Sequence, residues 1–518
     1  MTWEPEIEEL ERRKQLATLM GGEENVQRQH DNGKLTVRER IEGLVDPGSF
    51  AETGALAGKP EYDADGNLVS IRPANYVMGF ARIDGRRVVV GGDDFTIRGG
   101  AADASIGGKQ GYAEKMAREL RMPIVRFVDG TGGGGSVRSL TDIGRTYVPA
   151  NPVWDTVVDE LNEIPVIAAA MGSVAGLGAA RVVTSHWSII VKDTAQVFVA
   201  GPPVVLLGMG EDVTKEDLGG AQIHYHNGVC DNLAEDEDDA FRQIRQFLSY
   251  MPQNCWELPK RAEPTDDPGR REEMLLSVIP RNRRQPYKVR EILEAVLDRK
   301  SFFEIGGGWG RSVVTGFGRL DGYPVGVISN DPYHYGGGLT ADGSEKMERM
   351  IDLCDTFHIP AVNFLDQPGF VIGTAGEKAA TIRKGARAMA AVFQARVPWV
   401  TIIMRRAFGV AGAAHAKTSG LNLRYAWPSG DWGSLPLEGG IEAAYKRDLA
   451  NSADPDALRE ELMEKMNAVR SPFRTAEAFG IEHIIDPRET RPILCEWVHQ
   501  AYEIAGHELG PRSHGYRP

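Results

Sequence analysis

The chain contains an internal repeat that constrains its fold more than any other feature of the sequence. Residues 37–52, VRERIEGLVDPGSFAE, match residues 289–304, VREILEAVLDRKSFFE, without a gap and with eight of sixteen positions identical. Residues 80–100 match residues 317–337 with nine identities in twenty-one positions. Matches that recur in the same order along two halves of a chain indicate two copies of one domain.

The repeat continues through an apolar run and a turn rich in glycine and alanine. Residues 122–132, MPIVRFVDGTG, match residues 359–369, IPAVNFLDQPG, and residues 164–180, IPVIAAAMGSVAGLGAA, match residues 397–415, VPWVTIIMRRAFGVAGAAH. Small side chains let a ligand approach the backbone, and N–H groups at the start of a helix can hold a developing oxyanion. One such turn alone often reflects only tight packing. Because the turn recurs, we predict two sites at which a carbonyl is polarised.

Length and composition indicate a multidomain globular protein. The 518 residues predict about two to four domains. Short Val- and Ile-rich strands alternate with helical stretches in each half, which predicts the α/β class. Residues 251–287 are rich in proline and charge, as is typical of a linker. We therefore predict an N-terminal domain at residues 1–260, a linker at 261–284 and a C-terminal domain at 285–518.

Net charge, cysteines and the N-terminal segment bear on where the chain functions. The net charge of −14 argues against nonspecific binding to nucleic acid or to an anionic membrane surface. The four scattered cysteines fit a reducing compartment and exclude a Cys-rich zinc ribbon. Residues 1–16 are charged and acidic, unlike a secretory signal, and residues 164–183 contain proline, glycine and arginine, which favours buried core over a membrane span. We expect a cytoplasmic protein.

Familiar catalytic signatures are missing from the sequence. It has no GxxxxGK[ST] phosphate loop, no GxSxG nucleophile elbow, no HExxH motif and no clean GxGxxG opening a dinucleotide domain. Compact metal-ligand spacing is also missing, so we predict no metal site from His224, His226, His334 and His415. A site built mainly of backbone N–H groups remains the best candidate. It suits a reaction through an enolate, in which charge on a thioester oxygen must be stabilised.

Six stretches spread over nearly the whole chain point to one family. They are GKLTVRERI at 33–41, VFVAGPPVV at 197–205, EDLGGAQIH at 216–224, GRLDG at 318–322, DQPGFVIGTAGE at 366–377 and YAWPS at 425–429. Each is weak alone, but together they are specific. The chain resembles the carboxyltransferase, or beta, subunits of biotin-dependent acyl-CoA carboxylases, which include the propionyl- and methylcrotonyl-CoA carboxylases.

This resemblance implies a fold, a reaction and partners. The fold is a tandem pair of duplicated crotonase-like domains, each a ββα spiral, and six subunits form a ring. The N-terminal domain of one subunit receives acyl-CoA, and the C-terminal domain of its neighbour receives carboxybiotin. Carbon dioxide leaves carboxybiotin, the biotin enolate removes the acyl α-proton, and the acyl-CoA enolate attacks the carbon dioxide.

The implied biotin belongs to a separate protein. The chain has no Met-Lys-Met biotinyl-lysine motif and no ATP-binding signature. A biotin carboxylase and a biotin carboxyl carrier subunit are therefore the expected partners. The expected cofactors are carrier-borne biotin and the coenzyme A thioester substrate.

Site residues follow from the resemblance by position. The N–H groups of Gly176 and Leu177 would hold the thioester oxyanion, and those of Val410 and Ala411 the biotin oxyanion. Further cofactor contacts are implied for Gly132, Gly133, Gly134, Phe370 and Gly409.

The sequence departs from the family pattern at the two turns. Leu177 and Val410 stand where the family usually has glycine. Propionyl-type members have an aromatic residue and Asp after the second turn, whereas Gly412 and Ala413 occupy those positions here. We therefore predict an acyl pocket of a different shape, with drift at unchanged specificity as the alternative.

Three other interpretations stay open. A crotonase-type hydratase or isomerase would need acid/base carboxylates near the thioester, and residues 172–181 contain none. The carboxyltransferase subunit of a biotin-dependent decarboxylase would run the same exchange in reverse. A degenerate scaffold without activity is the non-enzymatic alternative. The sequence identifies neither the acyl group nor the direction of transfer.

Overall fold

The computed structural model describes residues 2–101, 106, 108–130, 140–141, 144–151, 153–415 and 422–518. These residues form two compact units. The first unit contains Met1–Trp256 together with Gly510–Pro518, and the second contains Glu257–Leu509.

The described helices and strands of the first unit are, in chain order, α1 (Glu4–Thr18), α2 (Glu23–Asp31), α3 (Val37–Leu44), β1 (Ala51–Glu52), β2 (Gly58–Tyr62), β3 (Leu68–Pro73), β4 (Tyr76–Ile83), β5 (Arg86–Asp93), α4 (Lys109–Glu119), β6 (Ile124–Val128), α5 (Trp154–Glu160), β7 (Val166–Ala170), β8 (Ser173–Ala175), α6 (Leu177–Val183), β9 (Trp187–Val191), β10 (Gln196–Phe198), α7 (Pro202–Met209), α8 (Lys215–Gly219), α9 (Ala221–Asn227), β11 (Asn232–Ala234) and α10 (Glu237–Tyr250).

Those of the second unit are α11 (Val289–Val296), β12 (Phe303–Ile305), β13 (Val313–Leu320), β14 (Tyr323–Asn330), α12 (Ala341–Thr356), β15 (Ala361–Gln367), α13 (Thr374–Lys378), α14 (Thr381–Gln394), β16 (Trp399–Phe408), α15 (Gly409–Ala413), β17 (Asn422–Ala426), β18 (Asp431–Gly433), α16 (Leu437–Ala444), α17 (Lys446–Asn451), α18 (Pro455–Val469), α19 (Pro472–Glu477), β19 (His483–Ile484) and α20 (Thr490–Ala505).

The two units repeat one sheet topology. The main sheet has the order β1-β4-β5-β6-β7-β9-β11 in the first unit and β12-β13-β14-β15-β16-β17-β19 in the second. In both sheets the first three strands pair antiparallel and the remaining neighbours pair parallel. The prediction of a duplicated α/β fold is confirmed.

Sequence patterns explain the local structure that leads to each turn. Thr36 and Glu39 form a capping box at the start of α3, and each satisfies a backbone N–H of the other. Strands β6, β7 and β9 are buried along their whole lengths. Apart from Arg126 in β6 and Ser188 in β9, their residues are apolar, which is typical of parallel strands covered on both faces.

The segment with linker composition, residues 261–284, lies within the second unit. Arg261 donates to the Asp321 carbonyl at 2.8 Å, and Arg270 donates to the carbonyls of Ala295 and Leu297 at 2.9 Å each. Proline disfavours regular structure in this segment, while its arginines attach it to the domain. The segment therefore extends the second unit beyond the predicted boundary at residue 285.

Residues 510–518 also differ from the predicted boundary, because they belong to the first unit. Gly510 donates its N–H to the Cys255 carbonyl at 2.8 Å, and Tyr516 donates its N–H to Asn162 Oδ1 at 2.8 Å. These contacts attach the end of the chain to the unit in which the chain begins.

Candidate active site

The first glycine- and alanine-rich turn joins β8 to α6. Gly176 has φ 61° and ψ −122°, a conformation that favours glycine. Its N–H donates to the Phe198 carbonyl at 3.2 Å, which extends the parallel β8–β10 pairing by one residue. Of the two predicted donors, Gly176 is thus engaged within the fold. The N–H groups of Leu177 and Gly178, in the first turn of α6, have no acceptor within the described part of the chain.

The second turn, between β16 and α15, also contains a glycine with a positive φ. Gly409 has φ 61°, and Phe408 is the extended residue before the helix. Among the described residues, the N–H groups of Val410 and Ala411 meet no acceptor. Ala411 is buried, while the Val410 side chain is 55% exposed. Both predicted donors at this turn therefore lack an acceptor among the described residues, and their role as oxyanion donors stays a prediction.

The other predicted site residues have varied surroundings. A Cβ on Gly412 would lie 2.6 Å from the Ala407 carbonyl carbon, so the absence of a side chain there is also a packing requirement. Ala413 is exposed. The Phe370 ring lies against Gly385 of α14, where an added Cβ would be 2.2 Å away. Assignment of these residues to a pocket or cofactor site stays a prediction, and Gly132, Gly133 and Gly134 lie outside the described residues.

A buried carboxylate lies beneath the first turn. Asp129 follows β6, and its two oxygens accept from Lys34 Nζ at 2.8 and 3.0 Å. Arg40 Nη1 donates to Asp129 at 2.8 Å, and Arg40 Nη2 donates to the Met171 carbonyl at 3.1 Å. Burial alone would raise the pKa of Asp129, but Arg40 and Lys34 more than offset it and lower that pKa. We call these three charged residues the Asp129 cluster; through Met171 it holds the chain that enters the turn.

A second buried carboxylate lies at the matching point of the second unit. Asp366, in β15, accepts from Arg405 Nη2 at 2.8 Å, from Arg406 Nε at 2.6 Å and from the Tyr287 hydroxyl at 3.0 Å. Burial alone would raise the pKa of Asp366, but Arg406 and Arg405 lower it. Asp366, Arg405 and Arg406 form the Asp366 cluster. It holds the strand that leads directly into Gly409.

Strands β5 and β14 each supply a side chain that accepts a hydrogen bond from the N–H of the buried aspartate in the same unit. The N–H of Asp129 donates to Asp93 Oδ2 at 3.1 Å, and the N–H of Asp366 donates to Asn330 Oδ1 at 3.1 Å. Burial raises the pKa of Asp93 to about 6, despite the opposing charge of Arg181. The amide at Asn330 makes the same hydrogen bond without a titratable group.

A histidine is buried behind the second turn. His415 follows α15, and its ring nitrogens have no hydrogen-bond partner among the described residues. Burial lowers its pKa to about 4, so the ring is neutral at pH 7. The matching residue of the first unit is Val182, which is also buried.

Sequence reasoning did not single out Asp129 or Asp366. The signal was present, since both are identical positions of the repeat at 122–132 and 359–369. Their cations could not be found in the same way. Lys34 and Arg40 match Pro286 and Ile292 in the repeat, while Arg405 matches Gly172.

Within the described ranges, no group of three or more His, Cys, Asp or Glu side chains has an arrangement suited to a metal ion. The expectation that the chain binds no metal stays a prediction. Among the helices that the structure describes, none combines the length and the apolar character needed to cross a membrane.

Comparisons with known proteins agree on one family. Residues 28–515 match the carboxyl transferase domain. The chain is 35% identical to the propionyl-CoA carboxylase carboxyltransferase subunit of Haloferax mediterranei over 95% of each chain. It is 33% identical to the methylmalonyl-CoA decarboxylase subunit alpha of Veillonella parvula over 96% of each chain. A crystal structure of transcarboxylase 12S, described as a hexamer with methylmalonyl-coenzyme A bound, superposes with a TM-score of 0.87 at 30% identity, covering 100% of this chain and 98% of that one.

Proposed function

The chain belongs to the carboxyl transferase domain family of biotin-dependent enzymes, and we propose that it moves a carboxyl group from carboxybiotin on a separate carrier protein to an acyl-CoA. The acceptor would be the α-carbon, or a vinylogous γ-carbon, and the acyl group would pass through an enolate. The observation that carries this proposal is the repetition of one turn, at Gly176 and at Gly409, each followed by first-turn N–H groups that have no acceptor within the described residues.

The two turns would act on different oxygens. The N–H of Leu177, with that of Gly178, would stabilise negative charge on the thioester oxygen while the acyl α-proton leaves. The N–H groups of Val410 and Ala411 would stabilise charge on the ureido oxygen of biotin. Preformed donors of this kind need no reorganisation as charge develops, which is why they lower a barrier. The Asp129 and Asp366 clusters would keep each turn in position.

A proline substitution tests the first turn. Leu177 is the first residue of α6, where proline is tolerated because its missing N–H has no helical partner. We expect Leu177→Pro to lower the rate of carboxyl transfer about 100- to 1000-fold, whereas Leu177→Ala, which keeps the N–H, retains most of it. The assay is fixation of labelled bicarbonate onto a panel of acyl-CoAs, with a biotin carboxylase and a biotin carrier protein present. Equal activity of the two variants would contradict the role of this N–H.

The same pair of substitutions tests the second turn. Val410→Pro removes one N–H and Val410→Ala keeps it. We expect Val410→Pro to slow the release of carbon dioxide from carboxybiotin on the carrier protein in the absence of acyl-CoA, because the biotin oxyanion forms in that step. We expect Leu177→Pro to leave that release unchanged, because no thioester takes part in it. Identical effects of the two proline variants on this release would contradict the assignment of separate oxygens.

The assembly is proposed from the relative described as a hexamer. We propose that six copies associate and that a complete site takes the first turn from one copy and the second from another. Mixed assemblies of Leu177→Pro and Val410→Pro chains should then recover part of the lost activity, since some sites contain two intact turns. No recovery would indicate that both turns of a site belong to one copy.

A second direction of transfer is favoured by the decarboxylase relative. A chain of that type would take carbon dioxide from a carboxylated acyl-CoA and load it onto biotin, using the same two turns. Presenting the chain with methylmalonyl-CoA and biotin-bearing carrier protein, without ATP, would measure this reaction. The relative rates of the two assays would establish which direction the chain favours.

A further inference from the structure

The second unit contains a cavity that lies outside the turn proposed to act on biotin. Its volume is about 500 Å³, within the range of small-molecule sites. Most of its wall comes from residues 275–283, from residues 428–430 after β17, and from residues 467–472 at the junction of α18 and α19, and Arg405 and Pro487 complete it. None of its lining residues belongs to the turn at 408–413.

The cavity is lined by cations. Among the described residues, four arginines line it and no acidic side chain does. Arg283 and Arg470 share one carboxylate, Asp431, with Arg470 Nε at 2.8 Å and Arg283 in direct contact. Arg281 is exposed and has no hydrogen-bond or ion-pair partner within the described residues. The cavity therefore carries more positive charge than its neighbouring carboxylate can neutralise.

The fourth arginine is part of the wall. The guanidinium of Arg405 is buried and is occupied by Asp366 and by the carbonyl of Gln285 at 2.9 Å. The arginines that can contact an anion in the cavity are thus Arg281 and Arg283. The Arg283 side chain is 46% exposed.

One wall of the cavity is apolar. Leu276, which is 54% exposed, lies beside Ile279 and Pro280, with Pro428 and Pro472 also in the lining. Apolar surface beside fixed cations is suited to a molecule with an apolar body and an anionic head. The planar guanidinium matches the two oxygens of a carboxylate or phosphate.

We propose that this cavity binds an organic anion, with its carboxylate or phosphate held by Arg281 and Arg283 and its apolar body against Leu276 and Ile279. The site is separate from the two turns and does not depend on the proposed transfer reaction. Carboxylate and phosphate share the chemistry that the arginines recognise, and the experiment distinguishes them.

Ligand-observed NMR titration of the full chain tests the proposal with three probes: hexanoate, hexyl phosphate and inorganic phosphate. We expect saturable binding of hexanoate, of hexyl phosphate or of both, and weaker binding of inorganic phosphate. The tighter of the two organic probes identifies the preferred head group. Failure of both organic probes to saturate, or binding of inorganic phosphate as tight as that of hexyl phosphate, would overturn the proposal.

Substitutions of lining residues test whether the probes bind in this cavity. Arg281→Gln should weaken the organic anion about 10-fold or more, because a charge-assisted hydrogen bond is lost. Arg284→Gln is the matched control, since Arg284 is an exposed arginine three residues away that does not line the cavity. Leu276→Ser should weaken hexyl phosphate and leave inorganic phosphate unchanged. Equal weakening by Arg281→Gln and Arg284→Gln would assign the binding to general surface charge and overturn the proposal.

Discussion

Asp129 and Asp366 end equivalent strands of the two units, yet their charges are neutralised from different directions. In the first unit the cations come from the segment around α3, as Lys34 and Arg40. In the second unit they come from β16 itself, as Arg405 and Arg406. A buried carboxylate without a cation is strongly destabilised, so the pairing was kept while the source of the cation changed.

The different sources of the cations in the two units also have a steric explanation. Gly172 matches Arg405, and a Cβ on Gly172 would lie 2.0 Å from Asp129 Oδ1 and 2.6 Å from Lys34 Nζ. The α11 residue that matches Arg40 is the buried Ile292. Each unit thus has room for a cation on one side of its carboxylate only. The comparison shows that duplicated domains can preserve a charge balance without preserving the residues that provide it.

The largest expected effect comes from removing one of the two charges. Asp129→Asn leaves Lys34 buried without its carboxylate partner, while Arg40 keeps Glu237 at 2.8 Å, and should lower the free energy of unfolding by about 3–5 kcal/mol. Asp366→Asn should cost less, on the order of 2 kcal/mol, because the Arg406 side chain is 18% exposed and can be hydrated. Denaturant unfolding of both variants measures the difference. Equal losses of unfolding free energy would contradict the difference expected between the two clusters.

The buried histidine of the second unit predicts a pH dependence. The pKa of His415 is lowered to about 4 from 6.5, so the unfolded chain takes up a proton below pH 6.5 that the folded chain does not. The contribution of His415 to the free energy of unfolding is therefore fully present above pH 6.5. About 3 kcal/mol is lost as the pH approaches 4. His415→Val, which copies Val182 of the first unit, should remove this part of the decline. Unfolding at pH 8 and pH 5 measures it, and an unchanged slope would contradict the assignment.

Adding one carbon at Gly172 tests whether the first unit lacks room for a side chain at the position that matches Arg405. Gly172→Ala forces the new Cβ against Asp129 and Lys34, and should lower the free energy of unfolding by about 1–3 kcal/mol. Gly208→Ala is the control, because a Cβ there meets nothing within 4 Å. Thermal unfolding of the two variants gives the measurement. A loss no larger than in the control would mean that the cluster can move aside.

The smallest expected effect concerns the equivalence of the turns. Gly176→Ala and Gly409→Ala both place a side chain at φ 61°, which should cost about 1 kcal/mol each. Among the described residues, a Cβ at Gly176 meets nothing within 4 Å, and one at Gly409 meets only the Ser434 carbonyl, at 3.3 Å. Denaturant unfolding should give similar losses for the two variants. A loss at one turn alone would sharpen the comparison by revealing a different role for that turn.

Much of the fold could be predicted from the sequence because it depends on local patterns that occur twice. The repeat predicted two α/β domains, and both turns were located from small residues after an apolar strand. The capping box of α3 likewise involves residues only three apart, Thr36 and Glu39. Such features depend on neighbours within a few positions of the chain.

Tertiary structure decided which groups at each turn remain available and what holds the turn in place. Lys34 lies 95 residues from Asp129, and only the folding of the chain brings them together. The engagement of the Gly176 N–H with Phe198 depends on the β8–β10 pairing. The sequence by itself determined two domains with two glycine turns, because short-range sterics and periodicity suffice for these. The partners of buried charges and of backbone N–H groups follow from contacts between distant segments, which exist only in the folded chain.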